Sequence, residues 1–159
     1  RLVKTKKPYI LKLVGEGPEM NNLKKQTSIL KLMEKVEFVG KVSYEEMQHL
    51  YLASDIFVFP SLRETTGTVL FEAMANKLPI VTFDQNGAAL LVNKSCGRKV
   101  NVNQPVDDIR AEFADYIREL IEDDALRIKM GEGAYNQIFK EYLWETKCKS
   151  FFDTYLKEG

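Results

Sequence analysis

Histidine occurs once in this sequence and cysteine twice, and both scarcities exclude chemistry. Cys96 and Cys148 lack metal-ligand spacing and are too few for a disulfide framework, a usage that favours a reducing cytoplasm. The lone histidine, His49, falls inside a helical stretch at residues 45–52. It reads as a surface or interface residue, since a general base needs a place in a cleft. Net charge is missing too: 23 basic and 23 acidic side chains cancel. No global field draws the chain onto nucleic acid or an anionic membrane, so any phosphate binding must be local. Long apolar runs are absent, those at residues 56–60 and 78–83 being strand-sized and far below a membrane span. No apolar stretch with a small-residue cleavage site follows the basic first residues, so no signal peptide is expected. The missing initiator Met suggests a segment of something longer. The length suits one domain with a proper core.

What is present is an alternation of two periods. Residues 9–14 form an apolar run ending in Gly15-Glu16-Gly17-Pro18, with glycines for a tight turn and a proline fit for a first helical position. A helix is predicted over 18–34, with Leu23, Leu30 and Met33 near helical spacing. A strand at 36–39 closes at Gly40. Ser43 with Glu46 three residues on is a capping-box pattern. The strand at 55–59 is apolar after its first residue, as for a strand buried on both faces. A short helix at 67–76 is predicted to turn Val69, Leu70, Ala73 and Met74 inward, and Pro79 leads to a strand at 80–83. Beyond a turn at Gln85-Asn86-Gly87 come a helical piece, a weak strand near 98–102 and an amphipathic helix opened by Pro105. Helices at about 124–142 and 144–156 fill the remainder. No repeat or low-complexity linker interrupts the pattern. It predicts an α/β chain, a doubly wound parallel sheet with helices on both faces. Ligands then sit at the carboxyl ends of the strands, at residues 15–18, 40–43, 60–67 and 84–88.

The loop at 60–67 is the informative one. Thr66, Gly67 and Thr68 coincide with the start of a helix, where unpaired amides and the helix dipole suit a diphosphate. Glu64 precedes that helix and Glu72 lies inside it, so two carboxylates could bracket a ligand and accept hydroxyl donors in charge-assisted bonds. A threonine before a helix is often only a cap, and a glutamate in the first turns often only complements the dipole. Taken alone, the pair leaves both readings open.

Three ordered segments shift the balance: Leu13-Val14-Gly15-Glu16-Gly17-Pro18-Glu19; Val36-Glu37-Phe38-Val39-Gly40 with Ala53-Ser54-Asp55-Ile56-Phe57-Val58-Phe59-Pro60-Ser61; and Glu64-Thr65-Thr66-Gly67 through Leu70-Phe71-Glu72-Ala73-Met74-Ala75 to Leu78-Pro79-Ile80-Val81. In this order and spacing the chain closely resembles the carboxyl-terminal domain of group 1 (family 4) glycosyltransferases, which have the two-domain GT-B fold. The resemblance implies a Rossmann-like carboxyl-terminal half with terminal helices, residues 1–159 being a single nucleotide-sugar (donor) binding domain. Glu64 falls on the glutamate that contacts the donor sugar and supports the reacting centre, and Glu72 on the one that holds the ribose hydroxyls. Thr66, Gly67 and Thr68 would offer amides to the diphosphate or sugar. The turn carrying Gly15 and Gly17 would face the inter-domain cleft, and Lys41 and Val42 would lie beside the base. The family retains anomeric configuration and needs no cofactor or bound metal, stabilising the leaving diphosphate electrostatically. The implied partners are a nucleotide-sugar and an amino-terminal acceptor domain. A cytoplasmic location follows, with peripheral contact at the inner face of the membrane through that other domain.

Departures from the family pattern matter as much. The first strand of this half and the amino-terminal domain are not in the sequence, so the usual diphosphate Arg and Lys have no counterpart; Arg1 and Lys4 read as the end of a preceding helix. Thr66 stands where many members carry an apolar residue. The Gln85-Asn86-Gly87 turn lacks the acidic residue that often follows, with Leu90 and Leu91 there instead. Arg63 reads equally as a phosphate contact and as a solvated charge. The acidic pairs Asp107-Asp108 and Asp123-Asp124 read as helix starts, and the aromatics Phe139, Tyr142, Trp144, Phe151 and Phe152 as packing or a docking surface. Two rival functions stay open: a nucleotide-sugar epimerase on the same fold, and a non-catalytic nucleotide-binding or interaction module.

Overall fold

The computed structural model describes residues 5–63 and 67–155. Strand and helix alternate as the sequence implies: β1 (Leu11–Val14), α1 (Met20–Ile29), β2 (Val36–Gly40), α2 (Tyr44–Leu52), β3 (Phe57–Phe59), α3 (Thr68–Ala75), β4 (Ile80–Phe83), α4 (Asn86–Leu91), β5 (Gly97–Val100), α5 (Val106–Glu122), α6 (Asp124–Gln137), a π-helical turn (Ile138–Tyr142) and α7 (Trp144–Tyr155). Every ladder is parallel, so the architecture is α/β and Rossmann-like. Contacts divide the chain into two compact units, Thr5–Ala53 and a second from Ser54 onward. The first holds the pair β1-β2 and the second the order β3-β4-β5.

In the first unit β1 and β2 run in register from Leu11 opposite Val36 to Val14 opposite Gly40, with one irregularity between Leu13 and Val14. The predicted capping box is present: Ser43 Oγ accepts from the Glu46 amide at 3.2 Å, while the Ser43 amide donates to Glu46 Oε2 at 2.7 Å. These two bonds satisfy donors that the start of α2 would otherwise leave unmade. The Ser43 amide also holds the Glu46 carboxyl below its ordinary range. α1 corrects the sequence reading. It ends at Ile29 and does not run to residue 34, and Leu23, Leu30 and Met33 are exposed. The helix is closed by Lys31, which takes a left-handed conformation (φ 55°), with the Leu32 amide donating to the Thr27 carbonyl and the Lys31 amide to that of Ser28, both at 2.9 Å. That is a Schellman closure. No glycine marks it, so apolar periodicity alone runs past the end.

In the second unit the most buried strand is β4, where Ile80, Val81 and Thr82 are fully buried. Residues of β3 are only half-buried, against the expectation that this strand is covered on both faces. β4 has a hydrogen-bonded neighbour on each side and β3 has one among the described residues, so the central position falls to β4. Thr82 keeps its place there because its hydroxyl donates to the Phe59 carbonyl at 2.9 Å, satisfying a buried polar group. Val81 packs with Leu120 of α5 and Met130 of α6, and Ile56, Phe113, Ile117 and Leu126 surround them. α6 lies against two chain turns at once. A Cβ on Gly131 would fall 2.2 Å from the Lys77 carbonyl oxygen, and one on Gly133 2.1 Å from that of Ser95. Glycine at these two places is what lets the helix touch backbone.

Candidate functional site

The second unit presents its candidate site where β3 and β4 end. The chain leaves β3 at Phe59 and re-enters a helix at Gly67, the N-cap of α3, which has left-handed dihedrals (φ 63°, ψ 33°). A side chain there would carry a steric cost of about 1 kcal/mol or more. Gly67 is buried against Leu70, and the Leu70 amide donates to its carbonyl at 2.8 Å. No side chain caps the first turn of α3 among the described residues. Its leading amides are therefore the kind of donors that bind anions at helix starts.

Leu70, Ala73 and Met74 are fully buried and fix which way α3 faces. Thr68 and Glu72 are four residues apart and stand above one another on a single face. Thr68 is exposed and Glu72 half-buried. Gly67, Thr68 and Glu72 thus lie at the N-cap and in the first turns of one helix. Glu64 and Thr66, assigned with them from sequence, lie outside the described residues.

In the first unit Gly15 and Gly40 meet where β1 and β2 end, the Gly15 amide donating to the Gly40 carbonyl at 2.7 Å. Gly17 begins the turn into α1, its carbonyl accepting from the Met20 amide at 3.1 Å. Lys41 follows β2 and is exposed, while Val42 is half-buried. Val42 lines an open depression of about 360 Å³ with Val39, Glu46, His49, Leu50 and Ala53. His49 is thus a surface residue of α2, as read from sequence.

One set of contacts, around the 84–88 turn already singled out, escaped the sequence reading. The turn between β4 and α4 is clamped by Lys99 of β5, whose Nζ lies 2.9 Å from Asp84 Oδ1 and donates to the Ala89 carbonyl at 2.8 Å. From this turn Gln85 Nε2 donates to the Ser61 carbonyl and Asn86 Nδ2 to the Leu62 carbonyl, each at 3.4 Å. Asn86 is left-handed (φ 52°). Its only sequence signal was the pair of amides Gln85-Asn86 in a turn. Among the described residues, no three His, Cys, Asp or Glu side chains gather as a metal site. No described helix is long and apolar enough to cross a membrane.

Comparison with known proteins places this geometry. The model of the glycosyl transferases group 1 family matches residues 1–137, and the chain belongs to that family. The D-inositol 3-phosphate glycosyltransferase of a Nocardioides species is 31% identical over 121 residues, 76% of this chain and 25% of that protein. The capsular polysaccharide biosynthesis glycosyltransferase CapM of Staphylococcus aureus is 30% identical over 159 residues, 96% of this chain and 40% of that protein. The chain therefore spans between a quarter and two fifths of the length of these relatives. Among solved structures, Anabaena HepE in complex with UDP matches with a TM-score of 0.76 at 24% identity, over 95% of this chain and 41% of that one. The carboxyl-terminal domain of the group 1 protein LpcC from Francisella tularensis matches with a TM-score of 0.69 at 24% identity, over 80% and 66%. At such identities the likeness is one of fold, the α/β half of GT-B glycosyltransferases.

Proposed function

We propose that this chain is the donor-binding part of a retaining glycosyltransferase that moves a sugar from a nucleotide-sugar to a glycan or lipid-linked acceptor. The observation that carries the reading is α3: a left-handed glycine at its start, a first turn with no side-chain cap among the described residues, and Thr68 and Glu72 on one face. A diphosphate suits the amides, and a carboxylate one turn along suits the ribose hydroxyls. The group 1 family match and the UDP bound by HepE support the same assignment. Glu64 is assigned to the donor sugar and the reacting centre, and Thr66 with Gly67 and Thr68 to the diphosphate or sugar. Gly15, Gly17, Lys41 and Val42 are assigned to the donor as well. Residues 1–159 act as one donor-binding domain, and the acceptor is bound by an amino-terminal domain. The reaction needs no metal, and it runs in the cytoplasm, with peripheral contact to the inner membrane face through that other domain.

Titration calorimetry of the folded chain with UDP, GDP and ADP tests the proposal. Weak binding of one of them, little or no sugar transfer by this chain alone and indifference to EDTA are expected. Glu72→Ala should weaken the free nucleotide by about 10- to 100-fold, since bonds to a charged acceptor contribute roughly 1.5–3 kcal/mol. Glu64→Ala should act mainly on the intact donor. No affinity for any of the three nucleotides would sink the reading.

A further inference from the structure

We propose that Tyr142 is a positioning residue: its ring, set against Phe71, fixes the roll of α3 and so the direction in which Glu72 meets the ribose. The inference rests on the donor-binding reading above and extends it to a residue remote in the chain.

The roll of α3 matters because the residues assigned to the donor lie opposite its buried ones. Successive residues of a helix are turned by about 100°. Leu70, Ala73 and Met74 are fully buried and cluster on one side. Thr68 and Glu72 fall on the opposite side, so a small roll about the buried stripe swings the Glu72 carboxylate through the widest arc. Phe71 sits on the flank between the two sides and is half-buried. A contact on the flank resists roll, whereas contacts beneath the helix mainly set its depth.

Phe71 has such a contact. Its ring meets that of Tyr142 edge to face, with centroids 5.3 Å apart and planes at 67°, an attractive arrangement of two aromatic quadrupoles. Tyr142 closes the π-helical turn, and Leu143 after it is extended (φ −65°, ψ 145°). Turns of this kind are rare and frequently stand at functional sites. The Tyr142 ring is held in turn by Lys147, whose Nζ lies over it 4.5 Å from the centroid. The chain just past α3 is anchored separately. A Cβ on Gly131 would fall 2.2 Å from the Lys77 carbonyl oxygen, and Lys77 Nζ lies 2.9 Å from Glu132 Oε1. Those contacts fix where α3 lies along α6, and the ring pair adds its roll.

Calorimetry of this chain with UDP, GDP and ADP, each beside its 2′,3′-dideoxy counterpart, tests the role. The ratio of the two affinities isolates the ribose hydroxyls. A contact shifts an equilibrium by no more than its own contribution, and a ring pair contributes about a two- to tenfold factor. Tyr142→Leu keeps apolar bulk and removes the ring. It should lower affinity for the ribonucleotide by that factor, leave the dideoxy form within about twofold and so narrow the ratio. Phe71→Leu, which breaks the pair from the other side, should narrow it too. Tyr142→Phe keeps the ring and should restore the parent ratio. Tyr135→Leu is the control for a purely structural loss: it removes a ring of α6 that packs on Phe139 at 4.3 Å, and the ratio should not move. An unchanged ratio in either folded leucine variant of the pair, or equal narrowing by Tyr135→Leu, overturns the proposal and leaves the donor site standing. A parent chain that binds no nucleotide, or binds ribose and dideoxy forms alike, overturns it together with the assignment of Glu72.

Discussion

Replacing Gly67 with alanine should cost about 1–2.5 kcal/mol of folding free energy, and each contribution can be traced. The backbone at φ 63° and ψ 33° lies in the region where an L side chain carries roughly 1–2 kcal/mol of steric strain. The new Cβ would sit 3.0 Å from Leu70 Cδ1, closer than ordinary contact, and Leu70 is fully buried. Its methyl must give by a few tenths of an ångström in a packed core, adding about 1 kcal/mol, the low end for overpacking. Against this, alanine restricts the unfolded chain and returns roughly 0.4–1 kcal/mol. Urea denaturation followed by circular dichroism is the assay, with a lower midpoint and an unchanged slope expected. Gly17→Ala is the control, since no atom lies within 4 Å of its Cβ position and its φ is not in the left-handed range. If the two variants unfold within about 0.5 kcal/mol of each other, the strain assigned to the start of α3 is wrong. On the donor-binding reading, Gly67→Ala also weakens the nucleotide, because backbone adjustment that relieves the strain would redirect the leading amides.

The two glycines of α6 should be less forgiving than Gly67. Gly131→Ala and Gly133→Ala each drive a Cβ to about 2 Å from a backbone oxygen, and a loss of roughly 2–3 kcal/mol in the same assay is expected despite alanine's better helix propensity. A thiol titration of the native chain should label Cys148 rapidly and Cys96 only after denaturant is added. Cys148 is exposed, whereas Cys96 is fully buried and burial pushes its thiol pKa up. Two fast thiols in native buffer would contradict the core position of Cys96. The capping box also gives a pH signature. Because the folded-state pKa of Glu46 is depressed, its contribution is present above the ordinary carboxylate range and lost as pH falls through the depressed value. Glu46→Gln should flatten that acid-side loss of stability, and an unchanged acid limb would contradict the assignment.

Much of this architecture is legible in the sequence because it follows from local patterns. The Ser43–Glu46 box, the proline-opened α5 and the alternation of strand with helix depend on neighbours a few residues away. α1 misleads for the same reason. Its apolar residues continue past Ile29, while its end is set by Lys31 in a conformation that composition does not announce. The rank of β4 over β3 is a property of sheet order, which no single strand encodes. Within the site, Thr68 and Glu72 could be placed on one face from helical spacing once α3 was recognised. The Gln85 and Asn86 contacts could not, because each spans 24 residues and depends on where two turns meet.

β5 has a further consequence, for how the chain keeps to itself in solution. Among the described residues its outer margin is the end of the β3-β4-β5 order, and the edge of a sheet can accept a strand from another molecule. Arg98 and Lys99 stand on that strand, Arg98 in a two-pronged pair with Glu119 at 2.9 and 3.0 Å and Lys99 with Asp84. A stranger's strand laid alongside would have to strip water from two cations already committed to carboxylates of their own. The lysine that steadies a turn therefore also discourages aggregation. Its replacement by an apolar residue should show first as turbidity on concentration, before any loss of fold.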